Sequence, residues 1–415
     1  MSKVIMIGCD LHDNSMRLRV SAGRGRSIGI SFDTADAPAM IRWVKDFASK
    51  QDSSRIVFAY EASGQGFGLC DVLRDAGVEC YVLAPTHLPH TVHSRKNKTD
   101  DKDAEMLLEQ VRGHVLAGQK LHTVWVPDPQ TRDDREIVRM RLELGEARTR
   151  IKNQIRSQAK RCKLALPIWF SASGNWSKRS VEWLRDVAAG GVEGAAAGVR
   201  VALSSLVDLY EEYTRQLKSL DRAITKLAAS ARYAMAFRKL KLLHGVGSLT
   251  AMVFLTEMGN LARFANRRQL AAYLGLAPSA YGSGNTNDRK GHITRQGPAR
   301  VRHVLCQAAW AALRVSPDWR AIYDRIRRDT GKRSKIAIVA IMRRLAISMW
   351  HTACSQRLDT LLNEIDQCRT SARARQKGSP LPSSPSPRRV LGEAEATAKT
   401  EGARGNPEKA KHGVT

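Results

Sequence analysis

The pattern of apolar and polar positions in the first third of the chain predicts strands followed by amphipathic helices. Residues 4–9 form a continuous apolar run that ends at Asp10, which is typical of a buried central strand. Residues 15–21 alternate between apolar and polar side chains, and a glycine-containing turn separates them from a third apolar segment at 27–32. We therefore expect these three segments to pair as an antiparallel meander.

Helical and strand patterns alternate over the rest of this third. The expected order, three strands followed by α-β-α-β-α, is that of a ribonuclease-H-like domain, which we assign to residues 1–126. Actin-like kinases and ATPases share this fold, but the glycine-rich stretch at 64–68 lacks the Lys of a phosphate-binding loop. The elements expected after the meander are a helix from Pro38, a strand at 55–60, a helix at 64–76, a strand at 78–83 and a helix capped by Thr99 or Asp100.

Four carboxylates belong to three of these elements. Asp10 ends the first strand, Glu61 ends the fourth, and Asp100 and Asp103 lie one turn apart at the start of the last helix. Because strand ends of an α/β sheet meet at one edge, we expect the four acids to converge. Such acids could hold two Mg²⁺ ions, which activate the attacking oxygen and stabilise the leaving one in phosphodiester chemistry. An acidic capping box on a solvated helix is the alternative for residues 100–103.

Residues 131–235 are predicted to form a helical, coiled-coil region. Its first long helix carries seven Lys or Arg and no acid from Arg148 to Lys163. This charge favours contact with a nucleic-acid backbone through residues such as Arg156 and Lys160, and a solvated helix face is the alternative. A small-residue stretch at 188–198 is expected to be a linker. An apolar repeat from Leu203 to Leu227 then predicts a coiled coil, formed either within the chain or between copies of it.

A C-terminal helical domain is expected at 236–352. A His-Gly-Val-Gly turn predicts a helix-hairpin-helix, in which Gly245 and Gly247 let backbone N–H groups approach a phosphate; a plain helix-loop-helix turn is the alternative. A Gly-Ser-Gly loop in a basic zone can expose the Ser283 hydroxyl to a phosphodiester, with turn formation as the alternative role for this serine, and Tyr281 is a second possible nucleophile. From residue 366 the composition predicts a disordered basic tail. The fold class is thus α/β plus all-α.

The charge of the chain points to a polyanionic partner. The 68 Lys and Arg exceed the 40 Asp and Glu, which gives a net charge of +28. No apolar run approaches the roughly 20 residues of a membrane-spanning helix, and the N-terminus lacks the plan of a signal peptide. The seven cysteines are scattered without a metal-binding spacing, which argues against zinc and for a reducing compartment. We expect a cytoplasmic, nucleoid-associated protein that binds no membrane.

Together, these motifs resemble the DEDD-type insertion-sequence transposases of the family numbered one hundred and ten. The resemblance covers about residues 1–350, and the order of its motifs is specific. It implies that a RuvC-like nuclease domain and a C-terminal transposase domain build one composite site, and that a structured bridge RNA pairs with donor and target DNA. The motifs are the spaced acids, the phrase Asn97-Lys98-Thr99-Asp100-x-x-Asp103-Ala104, the His-Gly-Val-Gly turn and the loop Gly275-Leu276-x-Pro278…Tyr281-x-Ser283-Gly284.

The resemblance also implies roles for individual residues. Ser283 is expected to form a covalent phosphoserine link to a cut DNA strand, beside Mg²⁺ held by the four acids. Asp101 is an additional acid, so ligand identity within residues 100–103 stays open. Because strand exchange needs several active sites held together, we favour a homo-oligomer, either dimer or tetramer. Further basic residues expected to contact nucleic acid are Lys96, Lys98, Arg289, Lys290 and Arg295.

Two other functions are compatible with these residues. A RuvC-like, Mg²⁺-dependent structure-specific endonuclease of the Holliday-junction resolvase type would hydrolyse DNA with water and would need the acids but not Ser283. A non-catalytic nucleic-acid-binding protein on the same scaffold would need neither.

Overall fold

The protein divides into two compact units, Met1–Asp128 and Pro129–Thr415. The first boundary lies two residues from the predicted end of the N-terminal domain. A computed structural model describes residues 3–88, 99–164, 166–171, 176–193, 195–281, 289–328, 333–376, 390, 392–397 and 400.

The first unit is built on a five-stranded mixed sheet with the order β3-β2-β1-β4-β5. The first three strands form the predicted antiparallel meander, and β4 and β5 run parallel to β1. The predicted α/β class and the order of elements are confirmed, and the sheet is consistent with a ribonuclease-H-like domain. The strands are β1 Val4–Leu11, β2 Ser15–Ala22, β3 Ile28–Asp33, β4 Arg55–Glu61 and β5 Glu79–Leu83.

Helices cover both faces of this sheet because its central strand is apolar on both sides. Ile5, Ile7 and Cys9 pack in one cluster with α1 and α2, whereas Met6 packs in another with Leu107 of α3. This alternation separates odd from even residues of β1, so Asp10 belongs to the face that α3 covers. The helices are α1 Ala37–Lys50, α2 Gly68–Asp75 and α3 Asp100–Ala117.

The second unit is mostly helical, with one two-stranded antiparallel sheet among its described residues. Its main core gathers α9, α11 and α13 and extends to Val138 of α4 and Ile224 of α7. The predicted helical region and the predicted C-terminal domain therefore share one core. The elements are α4 Pro129–Arg161, α5 Ile168–Ser171, α6 Lys178–Ala189, α7 Ala197–Ala228, α8 Ala234–Leu240, α9 Ser248–Met258, α10 Arg267–Tyr273, β6 Pro278–Tyr281, β7 Arg289–Ile293, α11 Ala299–Val315, α12 Pro317–Arg327, α13 Ser334–Cys354 and α14 Gln356–Gln376.

The two long helices of this unit pair with each other inside the chain. Arg141 Nε of α4 lies 2.6 Å from Asp221 Oδ1 of α7, and Gln158 Nε2 donates to Val199 O at 3.3 Å. The N-terminal part of α4 thus contacts the C-terminal part of α7, so the two helices are antiparallel. The intramolecular hairpin is the alternative that accounts for the apolar repeat of α7, while the oligomeric state stays a prediction.

The linker expected at 188–198 is shorter than predicted, because α6 ends at Ala189 and α7 begins at Ala197. The tail expected from residue 366 begins inside α14, which the structure continues to Gln376. Val390 and Ala394 are buried in a small cluster with Leu358 of that helix. The polar composition that predicted a disordered tail therefore includes apolar positions that pack against α14.

One described helix, α13, is long and apolar enough to cross a membrane by length and composition. Its most apolar window has a mean hydropathy of 1.2, and 61% of that window is buried inside the protein. Ile341, Leu345 and Met349 of this helix belong to the core of the second unit.

Candidate metal centre and nucleic-acid surfaces

The sheet register brings Asp10 and Glu61 to the same edge. Strands β1 and β4 are parallel, and Cys9 lies opposite Tyr60. Asp10 and Glu61 are the next residues of the two strands, so both follow the last paired position side by side. Since Ala59 packs in the same cluster as Leu107, the alternation along β4 assigns Glu61 to the face that α3 covers.

Helix α3 reaches this edge because Gly8 has no side chain. A Cβ at Gly8 would lie 2.2 Å from the Leu108 nitrogen and 2.3 Å from the Ala104 oxygen. Real Cβ atoms do not approach backbone atoms so closely, so the helix backbone rests directly on β1. The contact lies two residues before Asp10 on the same face, which brings the first turn of α3 close to Asp10.

The first turn of α3 supplies two further acids. Thr99 is the N-cap, and its side chain accepts a hydrogen bond from the Lys102 nitrogen at 3.4 Å. Asp100 is exposed and Asp103 is partly buried. The positive end of the helix dipole favours carboxylates at these positions.

His12 completes a group that the sequence analysis missed. Its Nε2 lies 3.0 Å from Asp10 Oδ2 and 3.4 Å from Asp100 Oδ1. One ligand atom from each of the three residues lies within 4.8 Å of the others, which is close enough to share an ion. The signal in the sequence was the spacing Asp-x-His after a buried strand, which places both side chains at the same strand end.

The carboxylate of Asp10 is partly buried and lies close to other negative charges. Burial raises the pKa of the Asp10 carboxyl, and the neighbouring Asp103 and Asp100 raise that pKa further, while His12 opposes the shift. A divalent cation would offset both the burial of the Asp10 carboxylate and its repulsion by the other aspartates, because carboxylates and imidazole are ligands for such ions. The donor set therefore fits a divalent metal.

The additional acid, Asp101, is held away from this group by strand β2. Arg17 Nε and Nη2 lie 2.8 and 2.6 Å from Asp101 Oδ1, and Arg19 Nη2 lies 2.6 Å from Asp101 Oδ2. Gly29 of β3 leaves room for this arrangement, since a Cβ there would lie 2.5 Å from Arg17 Nη2. Asp101 thus ties the first turn of α3 to the sheet.

Two predicted nucleic-acid contacts lie exposed on α4. Arg156 and Lys160 both face solvent, and the Arg156 guanidinium lies 5.7 Å from the centre of the Trp176 ring. Lys152 approaches the same ring at 5.5 Å. Cations beside an aromatic surface can engage both the phosphates and the bases of a nucleic acid.

Ser283, Lys96 and Lys98 lie outside the described residues. Strands β6 and β7 border the segment that contains Ser283, with Tyr281 opposite Arg289 and Ala280 opposite Lys290.

The chain positions just outside this hairpin are held together by close backbone contacts. The Arg295 nitrogen donates to Gly275 O at 3.1 Å, and a Cβ at Gly275 would lie 2.2 Å from Gln296 O. Arg302 of α11 donates through Nη1 to Leu274 O at 3.2 Å and to Gly297 O at 3.0 Å. Gly275 of the loop motif therefore has a structural role, and Arg302 is a stabilising residue that the sequence analysis did not single out.

The two glycines of the predicted helix-hairpin-helix turn differ in their surroundings. Gly245 has a φ of +82°, and a Cβ there would lie 2.4 Å from Ala308 O of α11. Gly247 is exposed with open space around it and is the N-cap of α9. Packing against α11 thus accounts for Gly245, and a phosphate contact stays a prediction for this turn.

Comparison with known proteins matches both parts of the chain to one family. Residues 7–163 match the DEDD-type model of IS110 transposases, and residues 238–324 match the model described as "Transposase IS116/IS110/IS902 family". The chain belongs to the IS110 family of insertion-sequence transposases. The first match includes Asp10, Glu61, Asp100 and Asp103, and the second includes Ser283.

Relatives of this transposase align over most of its length. A Sinorhizobium fredii protein named as transposase y4qE is 28% identical over 77% of this chain and 80% of its own. The transposase for insertion sequence element IS1111A of Coxiella burnetii is 27% identical over 57% of this chain and 60% of its own. That for IS1533 of Leptospira borgpetersenii is 24% identical over 75% and 86%.

Proposed function

We propose that this transposase cuts and rejoins DNA strands at a divalent-metal site made by Asp10, Glu61, Asp100 and Asp103. The observation that carries the proposal is the placement of Asp10 and Glu61 side by side, under the helix turn that bears the other two acids. The net charge of +28 fits a DNA partner.

The acids would hold Mg²⁺, the hard ion that oxygen ligands favour. Such a cation, when bound, neutralises the phosphate and stabilises charge on the attacking and leaving oxygens. Asp10 is fixed by the central strand and by its contact with His12, so one ligand is set before the ion arrives. The exposed Asp100 leaves the site open to a DNA phosphate.

Ser283 is the nucleophile in this proposal. Its Oγ attacks the phosphorus, a P–Oγ bond forms, and the bond to one deoxyribose oxygen breaks. The serine proton ends on that oxygen, which leaves as a hydroxyl. The covalent phosphoserine keeps the energy of a phosphodiester, so a second DNA hydroxyl can reverse the step and release Ser283 without ATP.

A structured bridge RNA would choose the donor and target DNA by base pairing, while the protein follows backbone shape. Three of the proposed backbone contacts, Arg156, Lys160 and Arg295, are cations with exposed side chains. Lys96, Lys98, Arg289 and Lys290 are proposed as further contacts, and a dimer or tetramer would hold the reacting strands together.

A RuvC-like nuclease is the second candidate. In that function the metal held by the acids of the first unit would activate a water molecule, which would attack the phosphate in place of Ser283. End-labelled DNA carrying the element ends, incubated with protein and guide RNA, separates the two functions. We expect Ser283→Ala to abolish protein–DNA adducts and to retain DNA binding, and Tyr281→Phe to retain adducts. Cleavage without adducts in the unmodified protein would favour the nuclease, and adducts lost only in Tyr281→Phe would move the nucleophile to Tyr281.

A further inference from the structure

We infer that His12 is a further metal ligand of the acidic site and raises its affinity for first-row transition ions more than its affinity for Mg²⁺. The inference rests on the proposed metal site and adds a nitrogen ligand to the four acids. Nothing in the resemblance to the family assigned this residue a role, and the observation that carries it is the position of the imidazole between two carboxylates.

The spacing of the three ligand atoms fits a single ion. His12 Nε2 lies 3.0 Å from Asp10 Oδ2 and 3.4 Å from Asp100 Oδ1. Adjacent ligands of an octahedral ion with bonds of about 2.1 Å lie about 3 Å apart. The imidazole could therefore serve as a ligand beside both carboxylates without any movement of the backbone.

The access of His12 also fits the role of a ligand. Its side chain is 46% exposed, whereas that of Asp10 is 17% exposed. The ring thus approaches the group from the solvent side, and the anchored carboxylate lies beneath it. His12 sits in the short turn between β1 and β2, where its backbone nitrogen donates to the backbone oxygen of Ser15 at 2.8 Å. That bond fixes the backbone from which the imidazole extends.

A nitrogen ligand changes which ion is preferred. Mg²⁺ is a hard ion that favours oxygen and gains little from imidazole, whereas divalent transition metals bind imidazole well. A site made of carboxylates alone would favour a transition ion over Mg²⁺ only modestly, by the general order of divalent affinities. The contribution of His12 is therefore the part of the affinity difference between transition ions and Mg²⁺ that disappears when the imidazole is removed.

The test measures the dissociation constants of Mn²⁺ and Mg²⁺ by calorimetry on the full chain, with Mn²⁺ also followed by pulsed paramagnetic resonance. We expect His12→Ala to weaken Mn²⁺ binding at least about tenfold and Mg²⁺ binding much less. The signal of a coordinated nitrogen should be present in the unmodified protein and absent in His12→Ala and His12→Gln. Asp13→Asn, in the same turn, is the matched control and should leave both constants unchanged, because its carboxylate accepts a hydrogen bond from Gln65.

Two outcomes would overturn the inference. One is an unchanged ratio of the two dissociation constants in His12→Ala, and the other is the absence of a nitrogen signal in the unmodified protein. Either result would leave His12 as a residue that only pairs with the two aspartates. Asp10→Asn separates this failure from that of the proposed site: if it abolishes metal binding while His12→Ala keeps the ratio, only the role of His12 is lost. If it changes neither constant, the proposed metal site itself fails.

Discussion

Gly8 of β1 and Leu108 of α3 are in backbone contact, and a Cβ at Gly8 would lie 2.2 Å from the Leu108 nitrogen. This contact fixes the distance between the strand that carries Asp10 and the helix that carries Asp100 and Asp103. The acids of the proposed metal site are far apart in the chain, and their approach depends on a position that bears no functional group.

Replacing this glycine should damage the proposed metal site without changing any of its proposed ligands. We expect Gly8→Ala to push α3 off the sheet and to destabilise the first unit by about 1–3 kcal/mol. It should also weaken Mn²⁺ binding about tenfold or more, because the ligands on α3 would be misplaced. Thermal melting and calorimetry measure the two effects. Gly198→Ala is the control, because Gly198 has open space around it. A variant that binds Mn²⁺ normally would show that α3 does not position the ligands.

Asp101 and Asp100 should differ sharply although they are neighbours. Asp101 pairs with Arg17 and Arg19, and we expect Asp101→Asn to change Mn²⁺ affinity less than about threefold, since a partly exposed pair contributes little. Asp100→Asn should reduce that affinity at least about tenfold. Calorimetry on the two variants decides the assignment, and a larger effect at Asp101 would reverse it.

The raised pKa of Asp10 has a consequence for stability. The folded protein holds the Asp10 proton more tightly than the unfolded chain, so this group costs stability as pH rises through its ordinary pKa towards the raised value. We expect Asp10→Asn to raise the melting temperature of the metal-free protein at pH 7, with the gain shrinking towards pH 4. Melting curves across this range provide the measurement. A gain that grows on acidification would contradict the sign of the shift.

The two glycines of the turn before α9 provide a matched pair. Gly245→Ala should destabilise the second unit by more than about 2 kcal/mol, because it adds a Cβ at positive φ against the backbone of α11. Gly247→Ala, at an exposed N-cap, should cost about 1 kcal/mol or less. Denaturant unfolding measures both. If Gly247→Ala also leaves DNA affinity unchanged, the predicted phosphate contact at this turn is lost.

The sequence predicted the sheet of the first unit well because its strands carry two distinct patterns. β1 is apolar throughout because both of its faces are covered, and β2 alternates between apolar and polar residues because only one face is buried. Glycine and proline mark the turns between the elements. Asp10 and Glu61 could be placed at one edge from this order alone. Thr99 was identified as a possible cap from its position before the acids.

The remaining features depend on contacts that no local pattern contains. His12 is a short-range neighbour of Asp10, but its distance to Asp100 depends on how α3 docks. The separation of Asp101 from Asp100 depends on Arg17 and Arg19 of a strand more than 80 residues away. The apolar repeat of α7 fits either a partner chain or α4, and only the packing of the helices distinguishes the two.

Replacing the bound ion by Fe²⁺ and triggering hydroxyl radicals tests the central claim most directly, because the radicals cut the backbone next to the ion. The fragments, mapped by mass spectrometry, should end near Asp10, Glu61 and the segment 100–103, and the cuts should disappear in Asp10→Asn. Fragments confined to the unit Pro129–Thr415, or cuts that persist at full strength in Asp10→Asn, would show that these acids do not form the metal site.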